Sequence, residues 1–384
     1  QLQQRILIID GAMGTMIQNA DLSPEDFGGE EFDGCNEYLN IVKPDVIEHV
    51  HREYLAAGAD IICTNTFGGT PVVLNEYDLG AQAHDINFRA AQLAKICADE
   101  FSTSDWPRFV AGAIGPTTKT LSVTGGITFD ELTNDFYVQA KALVEGGVDV
   151  ILLETSQDML NVKAATIGIQ QAFTELKIEL PIMISGTIEP MGTTLAGQSI
   201  EAFYISIEHI KPLSVGLNCA TGPEFMTDHI RSLSELSDGY VSCYPNAGLP
   251  DEEGHYHESP ESLSKKLRGF AEKGWLNVVG GCCGTTPAHI RAVREAVKDL
   301  SPRKPVEAGH GHVVSGIEPL QYNETMRPLF IGERTNVIGS RKFKRLIVDE
   351  KFEEASEIAR AQVKGGAHVI DICLANPDRD ELED

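Results

Sequence analysis

The sequence predicts an α/β protein: a (β/α)8 barrel, followed by a linker and the truncated start of a second βα-repeat domain. Three observations carry this expectation. Eight short, near-continuously apolar runs recur before residue 300, as parallel strands buried on both faces require. Amphipathic helical segments with readable ends lie between them. The polar and sulfur-bearing residues of interest fall at the C-terminal ends of the runs, the face where barrels of this kind carry their chemistry.

The runs cover 6–10, 60–67, 109–115, 148–155, 181–187, 213–219, 240–246 and 276–282. After the first comes a helix expected over 44–57, with Pro44 in its first turn and Gly58 as its stop. A second helix is expected over 128–145, ended by Gly146 and Gly147, and a third over 259–273, with Pro260 near its start and Gly274 beyond it. An open doubly wound sheet is the structural rival. It would carry a glycine fingerprint after the first strand, and Asp10-Gly11-Ala12-Met13-Gly14 is a poor match to that. The barrel is expected over 1–300. Residues 301–327, rich in Pro, Gly and His, read as a linker. Over 328–384 a strand at 328–333, a helix at 352–364 and a strand at 368–373 open a domain that two strands cannot close. The Gln1 start and the 379–384 end read as cuts, so a fragment of a longer protein is expected.

Composition narrows the function classes. Hydrophobic residues make up 42% of the 384 and charged residues 23%, enough for a large core. The net charge of −26 argues against nucleic acid and against anionic membrane surfaces, both of which need a basic footprint. No apolar stretch approaches a membrane span and no signal peptide opens the chain. The eight cysteines are scattered, as in a reduced protein, and a cytoplasmic location is expected.

The strand ends collect the chemistry: Asp10 on the first, Asn65 on the second, Glu154 on the fourth, Cys219 on the sixth, Asn246 on the seventh, Cys282 and Cys283 on the eighth. Adjacent cysteines cannot easily bridge each other, and flanking glycines let both sulfurs face one point. Spacing alone leaves two readings, buried structural cysteines or a zinc site; placement on one rim favours zinc. Three thiolates with one exchangeable position suit thiol chemistry, because zinc removes the proton of a substrate thiol and leaves its sulfur electron-rich. Taken alone, Asp10 reads equally as a helix cap, Glu154 as a buried ion-pair partner and Asn65 as backbone scaffolding.

Together the stretches DGAMGT (10–15), GADII (58–62) with TNTF (64–67), GLNC (216–219), YPNAG (244–248) and GGCCGTTP (280–287) resemble homocysteine S-methyltransferases. GERTN (332–336) looks like the start of a methyltetrahydrofolate-binding barrel, a pairing found in cobalamin-dependent methionine synthases. The resemblance implies Zn2+ on Cys219, Cys282 and Cys283, with Asn246 as an exchangeable fourth ligand. It implies Asp10 and Glu154 on the ammonium group of homocysteine, with Asn65 lining the same pocket. It further implies folate contacts by Glu333, Asn336 and Asp371. Zinc-bound homocysteine thiolate would accept a methyl group from methylcobalamin, ultimately from methyltetrahydrofolate, to give methionine. The methylcobalamin would come from a domain or partner outside this chain, since no DxHxxG cobalamin signature occurs.

Departures from the family pattern are Ala12 for a second glycine, a short loop around Cys35-Asn36-Glu37, and Cys373 where many relatives carry Asn. His255, His257, His310 and His312 read as solvated loop histidines, the basic run Arg341, Lys342, Lys344 and Arg345 as a solvated helix face, and Met13 and Met16 as core. Two rivals stand beside this reading. One is a cobalamin-independent homocysteine methyltransferase using S-methylmethionine or a betaine-like donor; the other is a zinc-binding scaffold without catalysis.

Overall fold

A computed structural model describes residues 1–306 and 311–381. The chain divides into two compact units, Gln1–Gly309 with Val314–Leu320, and His310–Val313 with the remainder. The first is the expected barrel. Its eight strands are β1 (Leu7–Ile8), β2 (Ile61–Cys63), β3 (Phe109–Ile114), β4 (Val150–Ser156), β5 (Ile182–Gly186), β6 (Ser214–Asn218), β7 (Tyr240–Tyr244) and β8 (Val278–Val279). All pair in parallel in ring order, β1 beside β8. A parallel bridge between Ile9 and Ile61 closes the ring, with Asp60 N–H on Ile8 O at 2.7 Å and Asp10 N–H on Ile61 O at 3.0 Å.

Two cores follow from strand alternation. Leu7, Ile9, Ile61, Ala111, Val150, Leu152, Met183 and Val278 fill the barrel interior together with the Tyr244 ring. The residues between them face outward and join the larger core under the helices, where Tyr54, Phe136 and Phe203 are buried. Because inward positions recur every second residue, the next inward positions toward the C-terminal mouth are Cys63, Glu154 and Ser185. The fold therefore aims these groups at the axis above an apolar plug.

The helices start and stop where their ends dictate. Pro44–Ala57 ends at Gly58 with φ 103°. Phe129–Glu145 starts behind Thr128, whose hydroxyl accepts from Glu131 N–H while the Glu131 carboxylate accepts from Thr128. Pro260–Glu272 is capped by Ser259. Among the described residues no helix is long and apolar enough to cross a membrane.

The stretch expected to be a linker differs in its first part. Arg303 is buried, its guanidinium donating to the carbonyls of Ser234, Ser237 and Gly239, and its own carbonyl accepts from Asn277 Nδ2 at 2.7 Å. Ser315 and Ile317 also bond within the first unit, to the carbonyl of Ala202 and the N–H of Ser199. Sequence composition marked the Pro and Gly content but not the carbonyls waiting for a guanidinium.

In the second unit, β11 (Ile331–Asn336) and β12 (Val369–Cys373), numbered after the hairpin strands β9 (His312–Ser315) and β10 (Pro319–Tyr322), pair in parallel. Helices Arg341–Val348 and Phe352–Lys364 connect them. The first of these buries Phe343, Leu346 and Ile347 and leaves its basic residues exposed, as expected for that run.

Candidate active site

A cavity of about 250 Å³ opens at the C-terminal mouth of the barrel. Asp10, Glu37, Cys63, Asn65, Glu154, Tyr244 and all three predicted cysteines line it. Among its described lining residues there is no Lys, Arg or His.

The sulfurs of Cys219, Cys282 and Cys283 lie within 4.8 Å of one another, with Cys219 and Cys283 at 3.8 Å. Four ligands around zinc at about 2.3 Å stand about 3.8 Å apart, so this donor set fits a tetrahedral ion with one place open. No basic side chain lines the cavity to balance three thiolates, which a divalent cation would do. All eight cysteines are free thiols. With thiols alone, Cys283 is held well below the ordinary thiol value because Cys219 and Cys282 hydrogen-bond to its sulfur, while Cys219 and Cys282 are pushed up.

Local backbone explains how the sulfurs meet. Cys219 and Ala220 follow β6 in left-handed conformation, φ 59° and 49°, which turns the chain sharply at the strand end. Across the mouth, a side chain at Gly280 would strike Ile9 O at 2.4 Å. Gly284, at φ 77°, would strike Tyr256. Cys282 N–H donates to Pro245 O at 2.8 Å, and Cys283 N–H to Asn246 Oδ1 at 3.0 Å. Asn246 is thus placed at the double-cysteine turn, buried, with one lone pair of its amide oxygen already used.

Asp10 accepts from Cys63 N–H at 2.8 Å, and burial pushes its carboxyl up to about 7. Glu154 is pushed up to about 8, by burial first and by the Asp10 charge second. The structure thus brings both predicted acids to one cavity, each close to the neutral form in the free protein. Asp10 caps no helix, since the helix after it starts behind Ala12 with no side-chain cap, and no basic side chain stands among the described residues lining the cavity beside Glu154. Asn65 lines the cavity, but its Nδ2 donates to Asn36 O at 2.7 Å and its carbonyl accepts from Asn40, so it also ties down the 36–40 loop. Met13 lines the cavity as well as packing against the core.

Several site residues were not singled out from the sequence. Asn218, fully buried, accepts from Thr155 N–H and Ser185 Oγ and donates to Thr155 Oγ1 at 2.7 Å and to the Cys282 sulfur at 3.8 Å. It holds the left-handed turn at Thr155, φ 54°, beside Glu154. Glu37 is a third acid, its Oε1 accepting from Gly68 N–H at 2.6 Å and its carboxyl pushed up by burial. Its signal lay in no motif, since a short 3-10 turn delivers it from a distant loop. The histidines at 255 and 257 are exposed and near Asp251; His312 is exposed and stacks on Tyr322; His310 lies outside the described residues.

In the second unit Asn336 Nδ2 donates to Asp371 Oδ2 at 2.8 Å, bringing two of the predicted folate residues together on adjacent strands. Glu333 is exposed on β11.

The first unit is thus a parallel barrel with three convergent thiols beside an acidic cavity. The chain matches the homocysteine S-methyltransferase family over residues 7–297 and belongs to it; it is a methyltransferase. Residues 332–383 match the pterin binding enzyme family. Among solved structures it is similar to the homocysteine methyltransferase MmuM from Escherichia coli, in a metallated form and in an oxidized form. Each is 21% identical with a TM-score of 0.63, over 76% of this chain and 96% of that one. At that identity the likeness shows the barrel fold.

Proposed function

We propose that the barrel transfers a methyl group to homocysteine, giving methionine, with Zn2+ held by Cys219, Cys282 and Cys283. The observation that carries this reading is the meeting of three thiols at the mouth of a cavity lined by acids and no bases. A bound zinc supplies the positive charge that keeps a substrate thiol deprotonated near neutral pH. Asp10 and Glu154 take the substrate ammonium, and binding it returns both carboxyls to their ionised form. Held at its amino end, the substrate points its sulfur toward Cys219, Cys282 and Cys283. The sulfur attacks the methyl carbon, the S–C bond forms, and the bond to the donor breaks with its electron pair left on the donor. Alignment contributes more than acid–base help, because the nucleophile carries no proton. Asn246 is the candidate for the fourth metal position when no substrate is present.

The donor in this reading is methylcobalamin, carried by a domain or partner outside this chain and recharged from methyltetrahydrofolate. The pterin binding match and the Asn336–Asp371 pair support a folate site in the second unit, with Glu333 at its edge. The Escherichia coli homocysteine methyltransferase is matched over 96% of its length, which favours as second reading a barrel that works alone with S-methylmethionine or a betaine-like donor. Assaying zinc-loaded chain with homocysteine and each donor separates them. Turnover with free methylcobalamin supports the first reading. Turnover with S-methylmethionine alone supports the second, and zinc retention with no methyl transfer from any donor leaves only a scaffold.

A further inference from the structure

Tyr244 ends β7 with its ring inside the barrel core, 3% exposed, in the same buried cluster as Leu152, the inward residue that precedes Glu154 on β4. Its hydroxyl is buried and makes no hydrogen bond. Such a group costs stability unless something later accepts from it. Tyr244 and Glu154 line the same cavity, and the Ser185 Oγ already donates to Asn218 Oδ1 at 2.7 Å. Glu154 carries no hydrogen bond or ion pair to a basic side chain in the cavity. One donor without an acceptor therefore shares the cavity with a carboxyl that no base pairs with.

We propose that Tyr244 is the positioning residue for Glu154. When the substrate ammonium sits against Glu154, the Tyr244 O–H donates to the same carboxylate and fixes the oxygen that faces the ammonium. A hydrogen bond to a charged acceptor is roughly twice as strong as a neutral one, so the free hydroxyl is a reserve spent only in the complex. This inference rests on the reading of the cavity as the homocysteine site, and it extends that reading by making recognition of the amino group depend on a phenol that acts through the Glu154 carboxylate. A phenylalanine at 244 keeps the packing and removes the donor alone.

The test is calorimetric binding and turnover on zinc-loaded full chain, wild type against Tyr244→Phe, with homocysteine and with 4-mercaptobutanoate, which lacks only the amino group. The expected result is about tenfold or more weaker homocysteine binding, a raised KM with kcat little changed, and 4-mercaptobutanoate bound equally by both proteins. The variant should melt at or above wild type, since it loses an unsatisfied buried group. Unchanged homocysteine affinity, equal weakening of both ligands, or a lowered melting temperature would each overturn the inference. If wild type binds 4-mercaptobutanoate as tightly as homocysteine, the assignment of the acids to the ammonium fails and takes this inference with it. If wild type prefers homocysteine and the variant does so equally, only the role of Tyr244 fails.

Discussion

At the residue scale, the site stores unfavourable states that a ligand would relieve. Thr155, Cys219 and Ala220 hold left-handed backbone without being glycine, at roughly 1–3 kcal/mol each. Glu154 and Asp10 sit in surroundings that suit their neutral forms. Their folded values lie above the ordinary carboxylate range, so the stability they lend is complete below about pH 4 and is lost as pH rises through about 7 and 8. Metal-free protein should therefore melt lower at pH 8.5 than at pH 6, and Glu154→Gln should flatten that dependence while abolishing tight homocysteine binding. Scanning calorimetry at the two pH values checks it; a Glu154→Gln variant with the wild-type slope sinks the assignment. The cysteines make a sharper demand. Cys219→Ala or Cys283→Ala should lower bound zinc from one equivalent to a tenth or less and cut methyl transfer by at least about a thousandfold, measured by elemental analysis beside turnover. Full zinc in both variants would leave the metal without its proposed ligands.

At the element scale, the strands were legible because parallel strands buried on both faces read as unbroken apolar runs, and their order needed no further clue. The helix stops were legible in Gly58 and in Gly146 with Gly147. On the strands, what stayed hidden has one cause: a buried polar residue inside an apolar run looks like noise until alternation is fixed. Asn218, Tyr244 and Ser185 belong to that class, and counting by twos from Leu152 or Met183 would have placed Glu154 and Ser185 on the inner face. His51 is the helical counterpart. It lies fully buried on helix Pro44–Ala57, neither ring nitrogen has a partner, and burial lowers it to about 3. Its folded value is below the unfolded one, so the unfolded chain takes up the proton first and stability falls as pH drops from about 6.5 toward 3. Replacing His51 with Gln leaves a non-titrating side chain of similar size. The variant should lose less stability than wild type between pH 6.5 and 4.5 in urea unfolding; identical losses would show that His51 is not buried in the neutral form.

At the scale of the whole molecule, the question is where the first unit ends, and the physical chemistry of one arginine answers it differently from composition. Residues 301–306 read as linker because Pro and Lys interrupt any periodic pattern, yet Arg303 gives three donors to carbonyls around the end of helix Pro223–Leu236 and the turn into β7. Asn277, just before β8, spans the same seam: its Oδ1 accepts from Val241 N–H at 3.0 Å and its Nδ2 donates to Arg303 O. These bonds brace the bases of β7 and β8, whose far ends carry Tyr244, Asn246 and the Cys282–Cys283 turn. A chain ending at residue 306 keeps these bonds, whereas one ending at 300 leaves three carbonyls and the Asn277 amide unpaired. At about 1 kcal/mol for each lost bond, the shorter chain should be less stable by roughly 2–4 kcal/mol and melt on the order of 5–10 °C lower. It should also give up zinc faster to a chelator, because the strand ends that hold Cys282 and Cys283 lose their footing. Chains ending at 300 and at 306 that melt together and release zinc at the same rate would put the boundary back at residue 300 and reduce Arg303 to a surface anchor.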